Sequence, residues 1–215
     1  MVLCMMNEQS FWGLVSEDYA RTVDFRISFG IYSLCWMYQN FPLSLPQFTY
    51  VFDSYVADIL MSASQQEESL FSPQQCCQKL DRLAELYQID SFENPYIIER
   101  SIQVINSCPT TVSLAMLCQT LNLSPAYLSS VISKNTGVPF RSIVFCRRLI
   151  TFVSLVCQEP NQVLESIALQ IGYQSVHQFC KSFRRNTGII PSSLKHNIIL
   201  IHDLQKRTLT VGSSI

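Results

Sequence analysis

The stretch VLESIALQIGYQSVHQFCKSFRRNTGIIPSSLK (163–195) decides how the chain is read. Val163, Leu164, Ile167, Ala168 and Ile171 are apolar at helical spacing, and Asn161 is the expected cap of that helix. Gly172-Tyr173-Gln174 reads as a tight turn. Ser175 and Gln178 have capping-box spacing, so a second helix begins there. Its inward face is Phe179 and Phe183, and Gly188 ends it. Pro191-Ser192 then opens a last short helix through Lys195.

The same phrase occurs earlier. Leu117, Cys118 and Leu121 match Ile167, Ala168 and Ile171 at an offset of 50. Ser124, Leu128, Ile132, Lys134, Asn135, Thr136 and Gly137 match Ser175, Phe179, Phe183, Arg185, Asn186, Thr187 and Gly188 at an offset of 51. The extra residue falls between helices, where insertion costs least. Each unit is therefore helix, turn, capped helix, the helix-turn-helix pattern. In the first unit Ser113 caps the first helix and Ser124-Pro125 opens the second. A further helix over Tyr96–Asn106 precedes it, started by Asn94-Pro95, with Ile98, Ile102 and Ile105 inward. A long helix from about Phe140 to Gln158 links the units.

Charge separates the two halves. Residues 1–95 hold four Lys/Arg against twelve Asp/Glu, whereas residues 96–195 hold nine against three. The net charge of −1 hides this division, which points to an anionic partner for the second half alone. Lys181, Arg184 and Arg185 lie on the outer face of one helix, and no acid occurs between Glu165 and Asp203. One charge sign, with His177 and Gln178 in the first turn, suits phosphate anchoring plus base reading.

Other classes find less support. The chain has six glycines and no phosphate-cradling loop, no H-E-x-x-H and no G-x-S-x-G, so an enzyme is not expected. Nine cysteines with no C-x-x-C pair read as free thiols in a reducing cytoplasm, and Cys76-Cys77 as packing. His177, His196 and His202 lack metal-ligand spacing, and neither a metal nor another cofactor is expected. Residues 27–52 carry no charge, but Gln39, Asn40, Pro42, Pro46 and Gln47 break the run, which reads as aromatic-rich core or interface rather than a membrane span. The region from 1 to 94 shows no site. Short helices are expected there, after a strand or two, with one stripe of Val56, Ile59 and Leu60 and another of Leu80, Leu83, Leu86 and Tyr87.

The segments LAMLCQTLNLSPAYLSSVISKNTGVPF (114–140), RRLITFVSLV (147–156) and the opening stretch resemble the DNA-binding domain of AraC/XylS-type bacterial transcription regulators. The resemblance covers about 97–195. It implies two helix-turn-helix subdomains on a long linker helix; many relatives carry a β-rich domain ahead of them, but residues 1–94 show no such strand pattern and read as a small, mostly helical N-terminal region, which makes the fold mainly α. The implied divisions are 1–94 for regulation or dimerisation, 95–196 for DNA binding and 197–215 as a tail. By the same resemblance, Val176, His177, Gln178 and Lys181 face bases, and Ser175, Arg184 and Arg185 face phosphates. The first unit offers Ser124, Ala126, Tyr127, Ser129 and Ser130, which depart from the long polar side chains common in the family, and Lys134 as a phosphate contact. Arg147 and Arg148 are expected at the DNA backbone. Phe152 stands where the family has a small residue, so packing there must differ. The implied partners are double-stranded DNA and RNA polymerase, with a homodimer or partner protein through 1–94, and the implied role is cytoplasmic activation. A second reading is an interaction regulator derived from this family that has lost DNA binding.

Overall fold

A computed structural model describes residues 22–40, 43–65 and 92–212. All regular structure among them is helical: α1 (Val23–Asn40), α2 (Leu45–Gln65), α3 (Pro95–Ser107), α4 (Leu114–Leu121), α5 (Pro125–Thr136), α6 (Phe140–Gln158), α7 (Leu164–Gln170), α8 (Val176–Thr187) and α9 (Pro191–Gly212). Helices α3–α5 form the first unit, α7 and α8 the second, and α6 runs between them.

The repeat is reproduced down to its caps. Ser113 Oγ accepts from the Met116 amide, Ser124 Oγ from Tyr127 and Ser175 Oγ from Gln178. Each satisfies an amide that the first helical turn leaves without a partner. At the other end, Gly137 (φ 71°) and Gly188 (φ 79°) take the left-handed conformation that ends α5 and α8. The threonine before each glycine is buried and used twice. Thr136 Oγ1 donates to the Ile132 carbonyl (2.7 Å) and accepts from the Val138 amide (3.3 Å). Thr187 Oγ1 does the same with Phe183 (2.9 Å) and Ile189 (3.4 Å). The repeated Asn-Thr-Gly is thus a helix-stop device in both units.

The one-residue offset also has a structural account. Asn122 (φ 54°) in the first turn and Gly172 (φ 90°) in the second both take positive φ. Leu123 and Tyr173 follow them equivalently, with their amides on the Cys118 and Ala168 carbonyls (3.0 Å each). The second turn then inserts Gln174, whose amide is taken by Gln178 Oε1 at 3.0 Å.

Helices α1 and α2 lie against the linker helix α6, and α9 packs on both α1 and α6. One hydrophobic core therefore runs through both halves of the chain. Phe52 of α2 meets Phe145 of α6 (ring centroids 6.2 Å apart), and Phe145 meets Phe183 of α8 (6.1 Å). Phe152 is fully buried between Phe179 and Phe183, which is how the linker accommodates a large ring. Buried polar groups tie α1 to α9. Tyr32 donates to Gln205 Oε1 at 2.6 Å, and Asn197 Nδ2 donates to Ser28 Oγ at 2.9 Å.

Several expectations need correction. Helices α1 and α2 are long, and no strand occurs among the described residues. Leu60 is about half exposed (48%) while Val56 and Ile59 are buried. Asn161 does not cap α7; Val163 holds that position without a side-chain bond and is 66% exposed. Asn94 occupies the cap position of α3 but makes no side-chain cap bond. The final helix runs to Gly212, so residues after Lys195 continue it instead of trailing as a tail. The stripe from Leu80 to Tyr87 and the Cys76-Cys77 pair lie outside the described residues.

Candidate nucleic-acid interface

Helix α8 buries Phe179, Phe183 and Thr187 and turns the rest of its length outward. His177, Gln178, Lys181, Arg184 and Arg185 are exposed, as is Ser175 before them, and Val176 is half-buried. The 3.6-residue period puts Gln178, Lys181 and Arg185 in one row. They line one wall of a cleft of about 440 Å³ with Ser182 and Asn186. Arg141, Val144 and Arg148 of α6 line it as well. No acid lines this cleft. Arg141 is exposed in the first turn of α6 and carries a fourth cation to the same surface. The sequence held a signal for it, since Arg141 and Arg148 are seven residues apart and so share a helix face.

Gln178 is partly committed. Its Oε1 accepts from the Gln174 amide, which leaves its Nε2 donor group and one Oε1 lone pair to a partner. Its capping and base-reading roles therefore compete for one side chain.

The first unit offers a different surface. Ser124, Ala126, Tyr127, Ser130 and Lys134 are exposed on α5, and Ser129 is half-buried. Ala126 stands where α8 has His177, and Ser130 where it has Lys181. Lys134 is the one cation of α5. Asn135 is drawn inward: its Oδ1 accepts from the Glu93 amide at 2.8 Å, tying the end of α5 to the start of α3.

Arg147 and Arg148, expected at the DNA backbone, are both turned to protein. Arg147 is half-buried, with an Nε that is sequestered from solvent. It lies near enough to Tyr38 of α1 to oppose the rise that burial imposes on that phenol's pKa. Arg148 donates through Nε to the Pro109 carbonyl (3.4 Å) and through Nη2 to that of Thr110 (3.3 Å). Its guanidinium also sits 4.9 Å from the centre of the Tyr173 ring. The physical reason is position: α6 has neighbours on most sides, so little of it past its first turn is free to face a ligand.

Among the described residues the cysteines make no competing metal site. Cys35 and Cys146 are buried, and burial raises the pKa of both thiols, which keeps them protonated and unreactive. Cys157 is pushed up to about 11 by the same effect. Among the described residues no group of His, Cys, Asp and Glu could hold a metal ion. None of the described helices is long and apolar enough to cross a membrane, and the described residues of the uncharged run fall mainly in α1 and α2, against the core.

A family profile described as "Helix-turn-helix domain" matches residues 117–197. This segment is thus similar to a helix-turn-helix domain. The chain is 30% identical over 76 residues to the regulatory protein PocR of Salmonella typhimurium, across 35% of its own length. The chain spans only 25% of that relative's length. Among solved structures, the C-terminal domain of AraT, a response regulator from Geobacillus stearothermophilus, is 25% identical. That likeness has a TM-score of 0.44 and covers 47% of this chain and 84% of the other.

Proposed function

We propose that the chain is a sequence-specific, double-stranded-DNA-binding regulator of transcription that reads two successive major grooves, α8 in one and α5 in the next. Such grooves lie about 34 Å apart along one face of the duplex. The observation that carries this reading is the acid-free face of α8, with His177, Gln178, Lys181, Arg184 and Arg185 exposed on a capped helix. Lys181, Arg184 and Arg185 neutralise phosphates, and the amide at the Ser175-capped end of α8 adds a favourable dipole. His177 and Lys181 present hydrogen-bonding groups to base edges, and Val176 an apolar contact for a thymine methyl. Arg141 replaces Arg147 and Arg148 as the backbone contact of the linker helix. In the first unit Tyr127 and Ser130 supply weaker contacts and Lys134 anchors a phosphate. Regulation in this reading is activation through contact with RNA polymerase.

Selection of duplexes from a random pool, followed by mobility shifts at low and moderate salt, tests the proposal. One sequence should be enriched, and its affinity should fall steeply between about 50 and 200 mM salt. Failure to enrich any duplex, or binding indifferent to salt, would refute it.

One observation favours a second reading. The outer face of α5 offers Ala126, Ser129 and Ser130 where long polar groups would serve base recognition, and Tyr127 is 46% exposed. An interaction regulator that pairs with another protein fits that surface. It does not account for the cation row of α8, which a protein partner alone has no need to preserve.

A further inference from the structure

We infer that Arg148 and Gly172 form a lock between the two helix-turn-helix units that fixes how far apart, and at what angle, their recognition helices stand. This rests on the DNA-binding reading and adds to it the residues that set which half-site spacing the chain accepts.

The lock is a continuous chain of contacts. It starts in the segment that leads into the first unit, immediately before the Ser113 cap of α4. There the Pro109 and Thr110 carbonyls both accept from Arg148 of the linker helix. The same guanidinium lies over the ring of Tyr173, in the turn of the second unit, at 4.9 Å from its centre. Tyr173 is buried against Phe179 of α8 (ring centroids 5.1 Å) and bonds Ser182 of α8 at 3.3 Å. One side chain of α6 thus connects the approach to α4 with the body of α8.

Gly172 closes the same joint through backbone contact. A Cβ built on it would stand 2.0 Å from the Thr110 carbonyl oxygen and 2.7 Å from its carbonyl carbon. The turn of the second unit therefore touches the main chain ahead of the first with no room for a side chain. The oxygen it touches is the one Arg148 holds. Gly172 also has φ 90°, which other residues resist.

Arg148 is a positioning residue here: it reaches DNA only through the helices it aligns. Lysine cannot replace it, because an ammonium lacks the planar fork that bonds two carbonyls while lying over a ring. Two modules held at fixed separation bind a matched pair of half-sites far better than a mismatched pair, and loosening the joint erodes that preference.

The experiment uses the full chain and the duplex it selects from a random pool, together with versions carrying one base pair more or fewer between the half-sites. A third probe carries only the half-site read by α8. The wild-type chain should bind the altered spacings about tenfold or more weakly than the selected one. Arg148→Ala should bring that ratio within about threefold, and should weaken binding to the single half-site by less than binding to the matched pair. Arg148→Lys should fall between, and Gly172→Ala should move the preferred spacing or flatten it. Helicity and thermal unfolding establish that each variant is folded, with Arg148→Lys as the mildest change. A spacing ratio that stays sharp in both Arg148 variants overturns the lock. Equal weakening on every probe, the single half-site included, overturns it as well. If the wild-type chain enriches no duplex, the DNA-binding reading itself fails, a result distinct from either of these.

Discussion

The two units share a framework and differ in what they hang on it. Both begin their second helix with Ser-capped amides, both end it with a buried threonine and a left-handed glycine, and both turn on a positive-φ residue. Their outward faces diverge. Helix α8 carries Lys181, Arg184 and Arg185, whereas α5 carries Lys134 and small or neutral groups. Internal requirements thus hold a repeat together more tightly than ligand contacts do. A cap or a core position has few acceptable residues, while an exposed position tolerates many.

That contrast can be strained experimentally. The largest effect is expected at the core. Phe183 contacts three other rings, so Phe183→Ala should cost about 3–5 kcal/mol in urea unfolding. Leu128→Ala, at the matching kind of site in α5, should cost about 2–5 kcal/mol. A negligible loss in either unit would break the claim that both are structural. Next come the helix stops. Thr136→Val and Thr187→Val each remove an acceptor from a buried amide, and each should cost about 1–2 kcal/mol. Near-equal losses would sharpen the idea of one device used twice. The caps are smaller: Ser124→Ala and Ser175→Ala should each lose about 1 kcal/mol.

The smallest change in energy separates the units most. Lys181→Ala should reduce the slope of log affinity against log salt by about 1. Lys134→Ala should reduce it by less. A slope flattened as much by Lys134→Ala would remove the proposed asymmetry, in which the second unit supplies most of the ionic affinity.

The legible part of the fold was the part with local causes. The serine caps, the helix-ending glycines and the Phe179/Phe183 spacing write themselves into short windows, and the structure returns them in place, whereas the Asn94 and Asn161 caps do not form. Helix α1 could not be read this way. Phe25, Ile27, Ser28, Gly30, Ile31, Tyr32, Leu34, Cys35 and Met37 are all buried, and the more exposed stripe of Arg26, Phe29, Ser33 and Trp36 itself holds two aromatic residues, so polarity marks no clear period. The same crowding misdirects the reading of Arg147 and Arg148: a basic pair on a linker helix suggests a phosphate contact, but their directions depend on α1 and on the 109–110 carbonyls. Those neighbours are distant in sequence and leave no mark beside the arginines. Arg141 is fainter in the sequence: its seven-residue spacing to Arg148 is the one local sign, and it gains weight when Lys181 and Arg185 line the same cleft.

The ring path from Phe52 through Phe145 to Phe183 has a practical consequence. It makes the hairpin α1–α2 a lining for the helix that joins the two units, not an appendage to them. A fragment beginning at Pro95 would leave its linker helix wet along the flank where Phe52 now sits, and should clump with copies of itself. Anyone trimming this protein to its recognisable half would be cutting through a shared wall.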